Sequence, residues 1–153
     1  MRFIADAMLG RLARWLRFLG FDTFYCSGIS DSRLIRIARE QDRVILTRDT
    51  RLTEVKGLEH YLLIRSNDSF GQIVEVVGSL KLRRFNLFSR CVKCNGELAK
   101  IVDKTEIRDS VPEFVFLQHN DFLKCADCGK VYWEGSHPKK FRDKVGDIFA
   151  AVS

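Results

Sequence analysis

A chain of 153 residues is long enough for one ordinary domain, or for a modest domain joined to a small module that needs a staple. Its 46% hydrophobic share supports a packed core, and no apolar run approaches the roughly 18 residues of a membrane span, which excludes a helical membrane protein. The formal charge of +6 is uneven: residues 1–88 hold 15 basic and 10 acidic side chains, residues 89–153 hold 11 and 10, a balance that admits an anionic partner without requiring one.

Phe3-Ile4-Ala5 is a short apolar run that stops at Asp6, and a helical pattern begins at once. Leu9, Leu12, Leu16 and Leu19 form its apolar stripe, Arg11, Arg14 and Arg17 recur beside it, and Gly20 supplies a stop. That is the pattern of a buried parallel strand feeding a helix. A second strand is expected around Phe24, then a turn over residues 27–30. A helix over Arg33–Gln41 follows, with Leu34, Ile35 and Ala38 inward, Arg33, Arg36 and Arg39 repeating the basic spacing, and Asp31 as N-cap or first-turn acid. Residues 43–49 repeat the opening, an apolar β-branched run ending at Asp49. The intervening helix makes the connection parallel, which brings Asp49 to the sheet edge that holds Asp6.

The pattern weakens from Thr50 to Glu59 and returns as a fourth strand at His60–Ile64. A third helix after Asp68-Ser69 presents Phe70, Ile73, Val76, Val77 and Leu80. Alternating strands and helices predict a doubly wound parallel-sheet α/β domain over residues 1 to about 80. Lys81 to Arg90 is a basic, ordered bridge, and the texture changes at Cys91. Strand-like pieces at Leu98–Val102, Phe114–Leu117 and Lys130–Trp133 accompany two cysteine knuckles, and the tail from Pro138, with Phe141, Val145, Ile148 and Phe149, fits a closing helix. The expected division is an α/β domain, residues 1–88, and a small β-rich cysteine module with a C-terminal helix, residues 89–153.

Cys91, Cys94, Cys125 and Cys128 form two C-x-x-C pairs, and Cys26 stands apart as an expected buried small hydrophobe. Tetrahedral Zn²⁺ takes four thiolates, and one tight turn can supply two of them. Asn95-Gly96 and Gly129 just after the second cysteine of each pair allow the positive-φ turn such a knuckle needs. The 30 residues between Cys94 and Cys125 exceed usual finger spacings, so a hairpin with an excursion must fill them. With four cysteines in the shell no position remains for substrate, so the zinc is expected to be structural. Two disulfides or reduced thiols are the alternative. The N-terminus lacks the phases of a secretory signal, which makes the cytoplasm the expected compartment and favours metal.

Asp6, Asp31 and Asp49 are the candidate catalytic set. Two end apolar strands and one opens a helix, neighbouring positions on the rim of a parallel sheet where ligands bind. Carboxylates crowded there repel unless a cation neutralises them, and hard, oxygen-liking Mg²⁺ or Mn²⁺ suits that role. Any one such aspartate alone is more often a turn or helix cap; it is the three together on one rim that point to a metal site.

The segments Asp6-Ala-Met-Leu-Gly-Arg-Leu-Ala-Arg-Trp-Leu-Arg-Phe-Leu-Gly20, Leu46-Thr-Arg-Asp49, Cys91-x-x-Cys94-Asn-Gly, Cys125-x-x-Cys128-Gly-Lys-Val-Tyr-Trp133 and Gly135-Ser-His137 are spread in this order along nearly the whole chain. In these motifs the chain resembles PIN-like nucleases, specifically the family named for the C-terminal ribonuclease region of mut-seven proteins. The resemblance implies a PIN-like α/β/α domain joined to a zinc ribbon and Mg²⁺- or Mn²⁺-dependent ribonuclease activity, with Asp6, Asp31 and Asp49 matching the acidic positions. PIN-like sites often hold a fourth acid; Asp68 is the nearest candidate, with helix N-capping as its competing role.

Candidate substrate contacts are Arg11, Arg14 and Arg48, whose guanidinium groups suit phosphates, together with Trp133 for base stacking and His137 as proton donor or phosphate contact. A solvated helix face and a module core are the alternatives for the stripe and the aromatics. The leading expectation is a ribonuclease acting on single-stranded or flexible RNA. The alternative is a non-catalytic RNA-binding or ribosome-associated adaptor, within a ribosome or RNA-processing complex; nothing in the residues argues for a toxin.

Overall fold

The structure is a computed structural model that describes residues 1–152, apart from the side chains of residues 136–139 and 141. Four short strands, β1 (Phe3–Ala5), β2 (Thr23–Tyr25), β3 (Val44–Thr47) and β4 (Tyr61–Leu63), pair in parallel in the order β2-β1-β3-β4. Register sets Ala5 beside Tyr25 on one side and Leu46 on the other, so the chain leaves the three strands at a common edge. The side chains alternate between two cores. Phe3, Ala5 and Leu46 enter one with α1 (Gly10–Phe18) and α4 (Ser69–Ser79); Ile4 and Ile45 enter the other with α2 (Asp31–Glu40) and α3 (Thr50–Thr53). The result is the expected α/β/α layering.

Gly20 ends α1 at φ 97°, and a Cβ there would lie 2.4 Å from the Asn86 carbonyl oxygen, so a returning segment crosses where only glycine fits. That segment is the connector expected to be ordered. Phe85 meets Phe21 edge-on at 5.9 Å, and Phe88 meets Phe18 at 5.3 Å.

The second part holds β5 (Leu98–Lys100), β6 (Phe122–Cys125) and β7 (Val131–Trp133), an antiparallel sheet in that order. Between β5 and β6 run a 3₁₀ segment, Lys104–Ser110, and α5 (Glu113–Gln118). The strand expected at Phe114–Leu117 is therefore a helix. Its bonds begin at once, the Phe116 amide donating to the Pro112 carbonyl at 3.0 Å. Val115 alone is buried, against Ile107, Val111, Phe122 and Val131, whereas Phe114 and Leu117 are exposed. The adjacent side chains of Val115 and Phe116 both reach this core, as a helix allows and a strand, whose successive side chains point to opposite faces, does not.

The last helix, α6 (Ser136–Val152), returns to the α1/α4 side of the parallel sheet. Val145 and Ile148 are buried in the same core as Phe3, Leu16 and Val76, and Phe149 meets Phe85 at 5.0 Å. Phe141, expected on its apolar face, lies outside the described side chains.

Candidate functional site

Each of the four parallel strands is followed by one of the expected acids: Asp6 after β1, Asp31 after β2, Asp49 after β3 and Asp68 after β4. Asp6 is half-buried, and its Oδ2 accepts a 2.7 Å bond from the Thr47 hydroxyl. That hydroxyl in turn accepts from the Asp49 backbone N–H at 3.0 Å. One buried threonine at the end of β3 thus orients the side chain of the first acid and the backbone of the third. Asp49 is the N-cap of α3, its Oδ1 taking the Arg51 N–H at 2.9 Å. The Arg51 guanidinium lies against both oxygens, Nε at 3.3 Å and Nη2 at 3.5 Å. The Arg51 backbone amide, then its side chain, hold the Asp49 carboxyl below its usual range. Asp49 chiefly, with Asp31 adding to the field, holds the Arg51 guanidinium above its own.

Asp31 is exposed in the first turn of α2, where Ser30 rather than Asp31 is the cap, accepting from Arg33 N–H at 3.3 Å. Asp68 caps α4 through Gly71 N–H at 2.7 Å, the competing role foreseen for it. Arg48 is half-buried and donates to Asn67 Oδ1 at 2.7 Å, tying the loop after β3 to the loop after β4. Glu75, which no sequence signal marked, accepts the backbone N–H groups of Arg65 and Ser66 at 2.9–3.1 Å and fixes that second loop. Burial would raise its pKa, but these bonds win and hold it low.

The cysteines do assemble. Cys91 and Cys128 Sγ are 3.7 Å apart, Cys94 and Cys125 Sγ 3.4 Å, and all four lie within 4.8 Å of one another. Thiolates tetrahedral around Zn²⁺ at about 2.3 Å have S···S edges of about 3.8 Å, so the set fits that ion nearly as it stands. Asn95 (φ 74°) and Gly129 (φ 77°) make the left-handed turns after each pair. Gly96 N–H donates to Cys94 Sγ and Cys128 N–H to Cys125 Sγ, both at 3.4 Å. Burial works to raise the Cys91 thiol, but the Tyr132 hydroxyl, 3.1 Å away, and backbone N–H groups outweigh it and bring the pKa to about 7. Burial, followed by the sulfurs of Cys125, Cys128 and Cys91, pushes Cys94 to about 12. Among the described residues this is the only set of three or more His, Cys, Asp or Glu side chains so closely gathered; the three rim aspartates are not.

The family model for the Mut7-C RNAse domain matches residues 1–145, which spans the acid rim, both knuckles and half of α6. This protein belongs to the Mut7-C RNAse domain family. Membership gives the chain a ribonuclease-type function, with RNA as the substrate the family implies. No match was found among curated proteins or solved structures. Among the described residues no helix is long and apolar enough to cross a membrane.

Within this Mut7-C RNAse domain the expected basic stripe divides. Arg11 and Arg14 are exposed on α1, but Arg17 is only 6% exposed. Its guanidinium donates to the carbonyls of Thr23 (3.0 Å), Val92 and Lys93 (both 3.1 Å). At 3.6 residues per turn, two steps of three turn the helix face by about 120°, which carries the third arginine from solvent to core. Arg17 therefore contacts the first cysteine knuckle rather than a phosphate.

A second set of bonds completes that junction. Asp22 Oδ1 takes Arg43 Nη1 at 2.8 Å and Asn95 Nδ2 at 2.7 Å, while Asn95 Oδ1 accepts the Thr23 N–H at 2.9 Å. The knuckle thus closes the amino ends of β1 and β2, opposite the acid rim, through Asn95, whose sequence signal was only its turn, and through Asp22 and Arg43, which no motif flagged. Trp133, expected to stack on bases, is half-buried on the module core and lines a cavity of about 280 Å³ with Phe88, Lys100 and Arg142. Tyr132 is committed to Cys91. Cys26, expected to be buried, is half-buried in the turn after β2, and the side chain of His137 lies outside the described residues.

Proposed function

We propose that this protein is a divalent-metal-dependent ribonuclease of PIN-like type that hydrolyses phosphodiester bonds in single-stranded or flexible RNA, with Asp6, Asp31 and Asp49 as its acidic residues. The observation that carries this is the pair of hydrogen bonds joining Asp6, Thr47 and Asp49 across the carboxyl ends of two adjacent parallel strands. An ordering hydroxyl between two acids at the ligand-binding edge of a sheet is more than helix capping requires. The donor chemistry suits a hard cation. Asp6 Oδ1 and both Asp31 oxygens make no hydrogen bond among the described residues, and every candidate ligand is a carboxylate oxygen.

Asp6, Asp31 and Asp49 would hold Mg²⁺ or Mn²⁺, which when bound lowers the pKa of a water and offsets charge on the phosphate. Thr47 holds the Asp6 carboxylate in place at the rim. Arg11 and Arg14, exposed on α1, offer the backbone of the strand planar, always-charged partners. The module's zinc is structural, and its place at the far edge of the sheet removes it from the chemistry.

The test is cleavage of a labelled single-stranded RNA with Mg²⁺, Mn²⁺ or EDTA. Cutting should require the metal, and Asp6→Asn or Asp49→Asn should still bind RNA while losing roughly 100-fold in rate. Variants that cut as fast as the parent would sink the acid assignment. Binding without cutting in any metal would instead favour an RNA-binding adaptor.

A further inference from the structure

Asp49 faces an arginine only two residues away, and the two halves of that residue do different things. The Arg51 backbone N–H, at 2.9 Å, caps α3. Its guanidinium contributes only a slack fork at 3.3 and 3.5 Å, and the side chain is 87% exposed. Full-strength charge-assisted bonds run at about 2.7–2.9 Å, and an exposed pair of this kind holds its partner by no more than about fivefold in equilibrium. The guanidinium can therefore leave without uncapping the helix. Arg48, the other arginine beside Asp49, is committed at 2.7 Å to Asn67.

We propose that Arg51 is a substrate-contacting residue with two positions: its guanidinium rests on Asp49 while the rim carries no divalent ion, and turns to a phosphate of the RNA once that ion takes the carboxylate. This rests on the assignment of Asp49 as a metal ligand. The chemistry is an exchange of partners. A divalent ion outcompetes a singly charged, solvent-exposed fork for the same two oxygens, and the freed planar fork matches two phosphate oxygens as well as it matched a carboxylate. Arg51 should therefore act with opposite signs on the two ligands, weakening metal uptake in the free protein and speeding cleavage in the complex. A side chain that merely stabilised α3 would do neither.

Calorimetric Mn²⁺ binding without RNA and cleavage of labelled single-stranded RNA at saturating Mn²⁺ separate these effects. Arg51→Ala should bind Mn²⁺ about two- to fivefold more tightly, yet cleave about tenfold or more slowly. Arg51→Lys, which keeps the charge and loses the fork, should stay near the parent in Mn²⁺ affinity and recover only part of the rate. Parent protein that takes up no Mn²⁺ overturns the Asp49 assignment and this proposal together. Asp49-dependent uptake that Arg51→Ala does not tighten, or an Arg51→Ala protein that cleaves at the parent rate, overturns this proposal alone.

Discussion

Thr47 shows how much can depend on one hydroxyl. It is fully buried, donates to Asp6 and accepts from the Asp49 N–H, so Thr47→Val keeps the shape and removes both bonds. The expected loss of stability is about 1–3 kcal/mol, because an N–H and a carboxylate oxygen lose their partner. Urea denaturation measures it, and RNA cleavage should fall further than the unfolded fraction explains. Asp22 offers a pH test. Burial pushes its carboxyl upward, but hydrogen bonds from Arg43 and Asn95 and the nearby charges win, leaving the folded pKa depressed. Its contribution to stability is then fully present above the unfolded value of about 3.9 and lost as pH falls through the lower folded value. Asp22→Asn should flatten that acid limb of a denaturation-versus-pH curve and cost stability at neutral pH. The placement of Asp6 and Asp49 at one sheet edge was legible in the sequence because each ends an apolar run. Arg17, Arg51 and Asp22 were not, because their partners are set by a helix turn, a local cap and a residue 73 positions away.

Elements built on an apolar period were read correctly where the period was long enough to count. α1 and α4 repeat a stripe over more than two turns, whereas β1 and β3, apolar runs with no period of their own, were placed by the acid that ends each and the helical pattern beside it. Phe114–Leu117 failed for the opposite reason: four apolar residues in a row carry no period, and only burial tells helix from strand. The knuckles were legible because ligand spacing is chemistry, not pattern. Their proton chemistry makes a prediction. Cys94, at about 12, holds its proton at neutral pH, and Cys91, near 7, is divided between its two forms. Zinc must displace those protons, so apparent Zn²⁺ affinity should rise steeply between about pH 6 and pH 8, with proton release on loading. Competition against a chromophoric chelator at several pH values measures it; a flat profile would mean the thiols are already ionised.

At the scale of the molecule, the cysteine cluster and the acid rim stand at opposite ends of the same short strands, yet they share one core. Arg17 and Asn95 fasten the first knuckle to the amino ends of β1 and β2, and α6, which leaves the module after β7, buries Val145 and Ile148 beside Phe3. Composition could not reveal this, since the change of texture at Cys91 suggests a boundary while these bonds cross it. If the module is part of the frame, removing zinc loosens the acid rim without touching it. Zinc removal followed by return of excess Mg²⁺ should lower the midpoint of one cooperative thermal transition, followed in a Trp133→Phe background by the fluorescence of Trp15 in the parallel-sheet core, and should slow cleavage in parallel. Arg17→Ala should do the same with the zinc present. It strips a buried donor from three carbonyls, at a cost of about 3 kcal/mol, and should weaken zinc binding as well, because the knuckle loses the surface that orders its turn. Two separate transitions after chelation, with the Trp15 signal unmoved, would show the module to be an appendage and leave the rim's geometry to the parallel sheet alone.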